Sequence, residues 1–536
     1  RSTALALLAA ACGPRPGLPM PERGAVSVTV AESAFGVVRD LRDRLDVGRA
    51  AGSDTTPDGV RLERLARAYD SVRTGLPVLL AAVDSGRLAP EDARALGVMR
   101  RAQRRDLGPL IPPAAVSLGP DTLDSLRARI YAAYGQAQSH VSVGADTLDR
   151  LSILAALGRT EDAERRRELF LALTPVWKSI NGENTAGSPY RRLIALEAAA
   201  RGGTGSRPGA ASPGGEQALL AGMAPDSLER WLLAVLETWR DATPDSLVEP
   251  WDWYYRTGRT SRTLGSRVPR ERLAELNARV WAGLGVDVHA LHVHYDLDPR
   301  EGKDPVAFTT FGAREPRIEP WVFATYRTGG LDNLNELLHE TGHAAHIAAI
   351  RTRPAFRDWP DSDAFTEALA DVVALDVYEP AWQQRWLGDS VPLADGLRGR
   401  YGGIVMDVAW ALFEARMLRE PTADPNAVWT VLTRDYLHIR AHPGLSWWAM
   451  RGQLVDAPGY MMNYAAGSIL VAAMRARIRA LHGPFDAGDS TWYAWVAPRL
   501  YRFGLERLSR EVIEEFLGGP VRPEALLADL RRMRVP

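Results

Sequence analysis

The stretch Leu337-Leu338-His339-Glu340-Thr341-Gly342-His343-Ala344-Ala345-His346 constrains this chain more than any other. It sets His-Glu-x-x-His inside an apolar, helix-compatible run. On a helix, His339 and His343 stand four residues apart on one face, so two imidazoles can close on one metal ion. Glu340 follows the first histidine and can reach a water beside that metal as its base. Zinc-assisted peptide hydrolysis needs this combination. A polar helix face in an unrelated chain can carry the same short pattern, so the reading requires a third ligand.

The run from Asp363 to Leu375 is also helix-compatible, with no Gly or Pro before Pro380. Within it, Glu367 comes 24 residues after His343, room for a loop and an antiparallel return. Asp371 is one turn further on the same face, where it can accept the second ring N–H of a ligand histidine and fix its tautomer. The spacing predicts one zinc ion per chain on His339, His343 and Glu367, with a fourth position open. Gly342 in a helix interior costs on the order of 1 kcal/mol against Ala, and close approach of another element gives a reason for it. His346 is read as a substrate-side group or, equally, as a packed histidine.

His339 to His346 resembles the His-Glu-x-Gly-His-Ala-x-His of the thimet oligopeptidase and oligoendopeptidase F family. Phe365-Thr366-Glu367-Ala368-Leu369-Ala370-Asp371-Val372-Val373-Ala374-Leu375 resembles the matching helix of the angiotensin-converting enzyme family. The likeness is specific over about residues 300–380 and looser to the C-terminus. It implies zinc on His339, His343 and Glu367, Glu340 as base, and Asp371 behind a ligand. It also implies a mainly α, zincin-like and neurolysin-like fold: two helical halves around a deep cleft, with one small β-sheet near the zinc site. Gly459-Tyr460 and Tyr464 resemble a Gly-Tyr-x-x-x-Tyr segment that these families bring to the oxyanion. The histidine expected before it is missing, since Gln453-Leu454-Val455-Asp456 stands there. His438 and His442 are the nearest substitutes, and plain aromatic packing is the competing reading of the two tyrosines.

Two strand candidates, 302–312 and 316–325, precede the motif; they are rich in Phe, Val, Thr and Trp. By resemblance the sheet edge pairs with extended peptide, which makes Phe308 and Thr309 candidate substrate contacts. His289, His292 and His294 lie just upstream, where placement on a strand or turn is preferred to a second metal site. Elsewhere the pattern is helical. Leu123, Leu126, Ile130, Tyr131 and Tyr134 follow helix spacing, as do Leu228, Trp231, Leu232, Val235, Leu236 and Trp239. Residues 201–215 read as a surface loop, Ser509 as a helix cap and Gly518-Gly519-Pro520 as a helix stop.

The chain has 536 residues and a net charge of −1, which gives no electrostatic case for nucleic-acid binding. No apolar run is long enough for a spanning helix. Residues 1–12 read as the tail of a secretory signal peptide. Cys12, the sole cysteine, follows small residues as in a bacterial lipoprotein site, although Ala9 replaces the usual Leu. Residues 13–30 read as a linker. Residues 31–536 read as one helical metallopeptidase domain, with an N-terminal half at 31–285 and a catalytic half at 286–536. The expectation is an exported protein, periplasmic or lipid-anchored at Cys12, acting as a monomer on short peptides. It would be a zinc peptidase of peptidyl-dipeptidase or oligoendopeptidase type. The competing class is a non-catalytic, peptide-binding surface lipoprotein on the same scaffold.

Overall fold

The computed structural model describes residues 26–56, 59–108, 122–203, 214–243, 246–301, 303 and 306–534. The signal-peptide and Cys12 readings lie outside these residues, as do most of the linker and positions 204–213 of the expected loop. The protein is mostly helical with little strand.

Helices α1 (Val28–Ala50), α2 (Leu62–Ala82) and α3 (Pro90–Arg105) come first. They share an apolar core that also takes in Ala355 and Phe356. Val28 is buried in α1, so the last residues assigned to the linker are helical. A hairpin of β1 (Val141–Val143) and β2 (Asp146–Leu148) stands apart from the main sheet. That sheet joins β3 (His294–Asp296), β4 (Phe308–Ala313) and β5 (Glu319–Phe323), with β5 in the middle. β3 runs parallel to β5, with Tyr295 opposite Val322; β4 runs antiparallel, with Thr309 opposite Val322.

Four helices then build the centre: α4 (Leu331–Ala349), α5 (Asp363–Ala374), α6 (Leu393–Arg419) and α7 (Met461–Leu481). Apart from the face of Asp363, Glu367 and Asp371, α5 is apolar and buried, with Phe365, Leu369, Val372 and Val373 all in the large core. A helix of that composition can only be an interior one. Each such side chain contributes about 1.5–3 kcal/mol by leaving water. Ser362 caps α5 by accepting from Phe365 N. At the other end, buried Arg475 of α7 donates to Val372 O and pairs with Asp376. Removing either partner of that buried pair would strand a charge, at a cost of about 3–5 kcal/mol.

α4 crosses α5 at Gly342. A Cβ there would stand 2.7 Å from Ala370 O and 2.8 Å from Ala370 Cα. The close approach expected from the sequence is therefore real, and it sets the distance between the two motif helices.

Several local expectations are corrected. Leu508 precedes the helix Ser509–Leu517, and Ser509 spends its hydroxyl on Asp361 rather than on a cap. Tyr131 is 44% exposed, because the apolar face of its helix is filled by Leu126, Ile130 and Tyr134. Residues 201–203 continue a helix and Gly215 starts another, so the loop is shorter than 201–215.

Candidate metal centre

The i, i+4 spacing on α4 sets the His339 and His343 rings edge to face, centroids 4.7 Å apart. α5 returns antiparallel and delivers Glu367 to them. Glu367 Oε2 lies 3.4 Å from His339 Nε2 and 4.0 Å from His343 Nε2. Metal–ligand bonds of about 2.0–2.2 Å at tetrahedral angles put ligand atoms roughly 3.4 Å apart. The three residues therefore fit one zinc ion, and all three donor atoms lie within 4.8 Å of one another. Among the described residues no other group of His, Cys, Asp and Glu is so arranged. His294 instead lies flat on Trp321, centroids 4.7 Å apart, with Nε2 3.4 Å from Glu319.

Asp371 accepts from His339 Nδ1 at 2.7 Å, which leaves Nε2 free as the donor to a metal. Burial pulls the His339 pKa down, but the Asp371 and Glu367 carboxylates outweigh it and raise it well above the ordinary value. His343 is the opposite case. Burial, then the neighbouring His339 and His346, hold it well below the usual range, so it is neutral. Its Nδ1 has no hydrogen-bond partner among the described residues; Trp359 stands against the ring.

Glu340 is buried and stands outside the ligand set. Burial, helped by Glu336 and Glu367, raises its pKa to about 7 against the pull of His339 and Thr309. The Thr309 hydroxyl stands 2.6 Å from Glu340 Oε2 and 2.9 Å from Glu340 O. Thr309 therefore spends its side chain on the carboxylate of Glu340, not on a substrate. Phe308, at the start of β4, is 37% exposed and stacks on Phe323. His346 has no accessible surface and packs between Trp359 and Tyr501, with neither ring nitrogen bonded. It offers a substrate nothing, and the packed-histidine reading is the correct one.

The tyrosine segment reaches the cluster from α7. Tyr460 and Tyr464 are half-buried and meet edge to face, centroids 5.5 Å apart. Burial and the Glu367 charge push both phenols up, so both keep their protons at neutral pH. The Tyr460 hydroxyl has no hydrogen-bond partner among the described residues. The turn that carries it is held from α6: buried Glu414 accepts from Gly459 N and Met461 N, each at 2.9 Å. Gly459 sits at φ 96°, in the region that favours glycine. Nothing in the sequence marks Glu414 for this task, since it stands 45 residues from Gly459. The substitute histidines are committed elsewhere. His442 Nε2 is 2.7 Å from Glu249, and His438 Nε2 is 3.4 Å from Arg240 O.

Among solved structures the chain aligns over nearly its whole length with three proteins. The M32 carboxypeptidase from Deinococcus radiodurans R1 matches with a TM-score of 0.57 at 16% identity, over 94% of this chain and 98% of that one. Trypanosoma cruzi metallocarboxypeptidase 1 matches at 0.57 and 14% identity, over 95% and 99%. CHT gives the same TM-score, identity and coverages. The chain shares the metallocarboxypeptidase fold. No family model and no curated protein sequence matches it. The shared fold agrees with a mostly helical, zincin-like architecture. The Deinococcus and Trypanosoma neighbours are carboxypeptidases, whereas the sequence pointed to angiotensin-converting enzyme and thimet oligopeptidase types.

Proposed function

We propose that this protein is a zinc-dependent peptidase acting on short peptides. The observation that carries the reading is the division of labour on α4. Two histidines and Glu367 converge on one point, while Glu340 stands beside them, outside the ligand set, with a pKa near 7. A base poised near the working pH combines the right protonation state with enough driving force. A zinc ion held by the triad would supply Lewis acidity, lowering the pKa of a water and polarising the scissile carbonyl.

The remaining work falls to the chain's own side chains. Glu340, steadied by Thr309, takes the proton of the attacking water and returns it to the leaving amine. Asp371 keeps His339 in the tautomer that presents Nε2. Tyr460 and Tyr464, both protonated, are the donors for the oxyanion. The open edge of β4 at Phe308 is the place for extended peptide. The carboxypeptidase fold of the neighbours favours release of C-terminal residues over internal cleavage. An intact Glu340 weighs against a peptide-binding scaffold without catalysis.

The test is metal analysis followed by mass spectrometry of products from a random peptide mixture. About one zinc per chain and single C-terminal residues released in sequence are expected. Active protein without zinc would overturn the metal reading, and internal fragments would overturn the cleavage mode.

A further inference from the structure

A cavity of about 500 Å³ opens between the first turn of α4 and α6. Asp332, Tyr254, Tyr378, Trp410 and Arg451 are part of its wall. Asp332 stands seven residues before His339, two turns back on the same helix face. Tyr378 feels the charges of both Asp332 and Asp371, the carboxylate that holds His339. Arg451 feels that of Tyr464. The cavity thus lies against the helix face that carries His339 two turns further on.

Its two arginines are occupied or peripheral. Arg451 pairs with Asp407 and lies over Trp410, 4.7 Å from the ring centroid. Arg159 is exposed and meets Thr328 Oγ1 at 3.5 Å. Asp332 is different. Ser261 donates a hydrogen bond to its Oδ1, and Arg159 acts on it only through its charge, with no ion pair between them. Asp332 is an exposed residue of the cavity wall, and desolvation raises its pKa. With Arg159 not in contact, an ionised carboxylate there is only partly compensated. Tyr254 and Tyr378 add aromatic rings to the wall, whose faces favour a cation.

We propose that this cavity is a subsite for a long cationic side chain, lysine or arginine, of the peptide substrate, with Asp332 as its counter-ion. The proposal rests on the peptidase reading and names the substrate class for the same site. The aromatic walls take the methylene stem, and the Asp332 oxygen not bonded to Ser261 takes the charged head.

The test uses peptides that differ only by arginine or its uncharged analogue citrulline, scanned through each position. Two readouts are taken: kcat/KM with the zinc-loaded protein, and Kd by calorimetry with the Glu340→Gln protein. At one position arginine should exceed citrulline by about tenfold or more in both, the size of a charge-assisted hydrogen bond. Asp332→Asn should bring that ratio close to one, Ser261→Ala should reduce it less, and Asp332→Glu should keep it. Zinc content and thermal melting check that each variant is folded. A ratio near one at every position in the unmodified protein overturns the subsite, and so does a ratio that survives Asp332→Asn. Absence of binding by either peptide overturns it too. An arginine preference in Kd that vanishes in Asp332→Asn, with no turnover of any peptide, leaves the subsite standing and removes the peptidase reading.

Discussion

The metal corner and the tyrosine segment face each other across Glu367, yet they are built in different ways. The metal corner is made by two helices in direct contact. His339 and His343 share a face because the helix repeats every 3.6 residues, and Gly342 lets α5 come close enough to add Glu367. The tyrosine segment has no such internal rule. Its turn is held by Glu414 from α6, by a left-handed Gly459, and by Arg201, which donates to Pro458 O at 2.7 Å. One region is fixed by local periodicity, the other by support from elements far away in the chain. The contrast says where changes should be sharp and where they should be graded.

The largest effects belong to the metal corner. His343→Ala should lose both zinc and turnover, because two donors cannot replace the triad. Glu340→Gln should keep about one zinc per chain and lose turnover by about a hundredfold to ten-thousandfold, the usual range for a general base. Metal analysis beside peptide assays separates the two. Should Glu340→Gln stay within about tenfold of the parent, roughly 1.4 kcal/mol of barrier, the base lies elsewhere.

Next come the tyrosines. Tyr460→Phe should lower kcat by about a hundredfold, typical of a lost oxyanion donor, with zinc content unchanged. Tyr464→Phe tests the second phenol in the same way. If both variants work at the parent rate, these rings only pack, and the comparison between the two regions collapses to one functional region.

Asp371→Asn is expected to be milder. The outer partner of a ligand histidine typically accounts for 10- to 100-fold in metal affinity. Competition with a chelator should show weaker zinc while the helices stay folded. An unchanged affinity would mean that packing alone orients His339.

The smallest effect is a slope. Burial opposes charge on His339, yet Asp371 and Glu367 hold its pKa well above the ordinary value in the metal-free protein. Zinc must then displace a proton from it. Affinity should therefore rise with pH, by about tenfold per unit while one proton is released. Calorimetry in two buffers of different ionisation enthalpy would count that proton. A flat profile would show that His339 is already neutral without metal.

By itself, the sequence determined the parts ruled by short-range geometry. The pairing of His339 with His343, the place of Glu340 beside them, and the reach of Asp371 one turn past Glu367 all follow from helix periodicity. The need for a close neighbour at Gly342 was legible as well, because an interior helical glycine is costly without one. The apolar run of α5 and the helical spacings at 123–134 and 228–239 marked a helical chain, and the Phe-, Val- and Trp-rich runs marked a small sheet. Tertiary structure alone decided what depends on which distant groups meet. It sent His346 into the core between Trp359 and Tyr501, and turned His438 and His442 onto Arg240 and Glu249. It also brought Thr309 to Glu340 across 31 residues and Glu414 to Gly459 across 45. A hydrogen bond between residues so far apart leaves no periodic trace, since its partners are set by how helices and strands stack and not by their spacing along the chain.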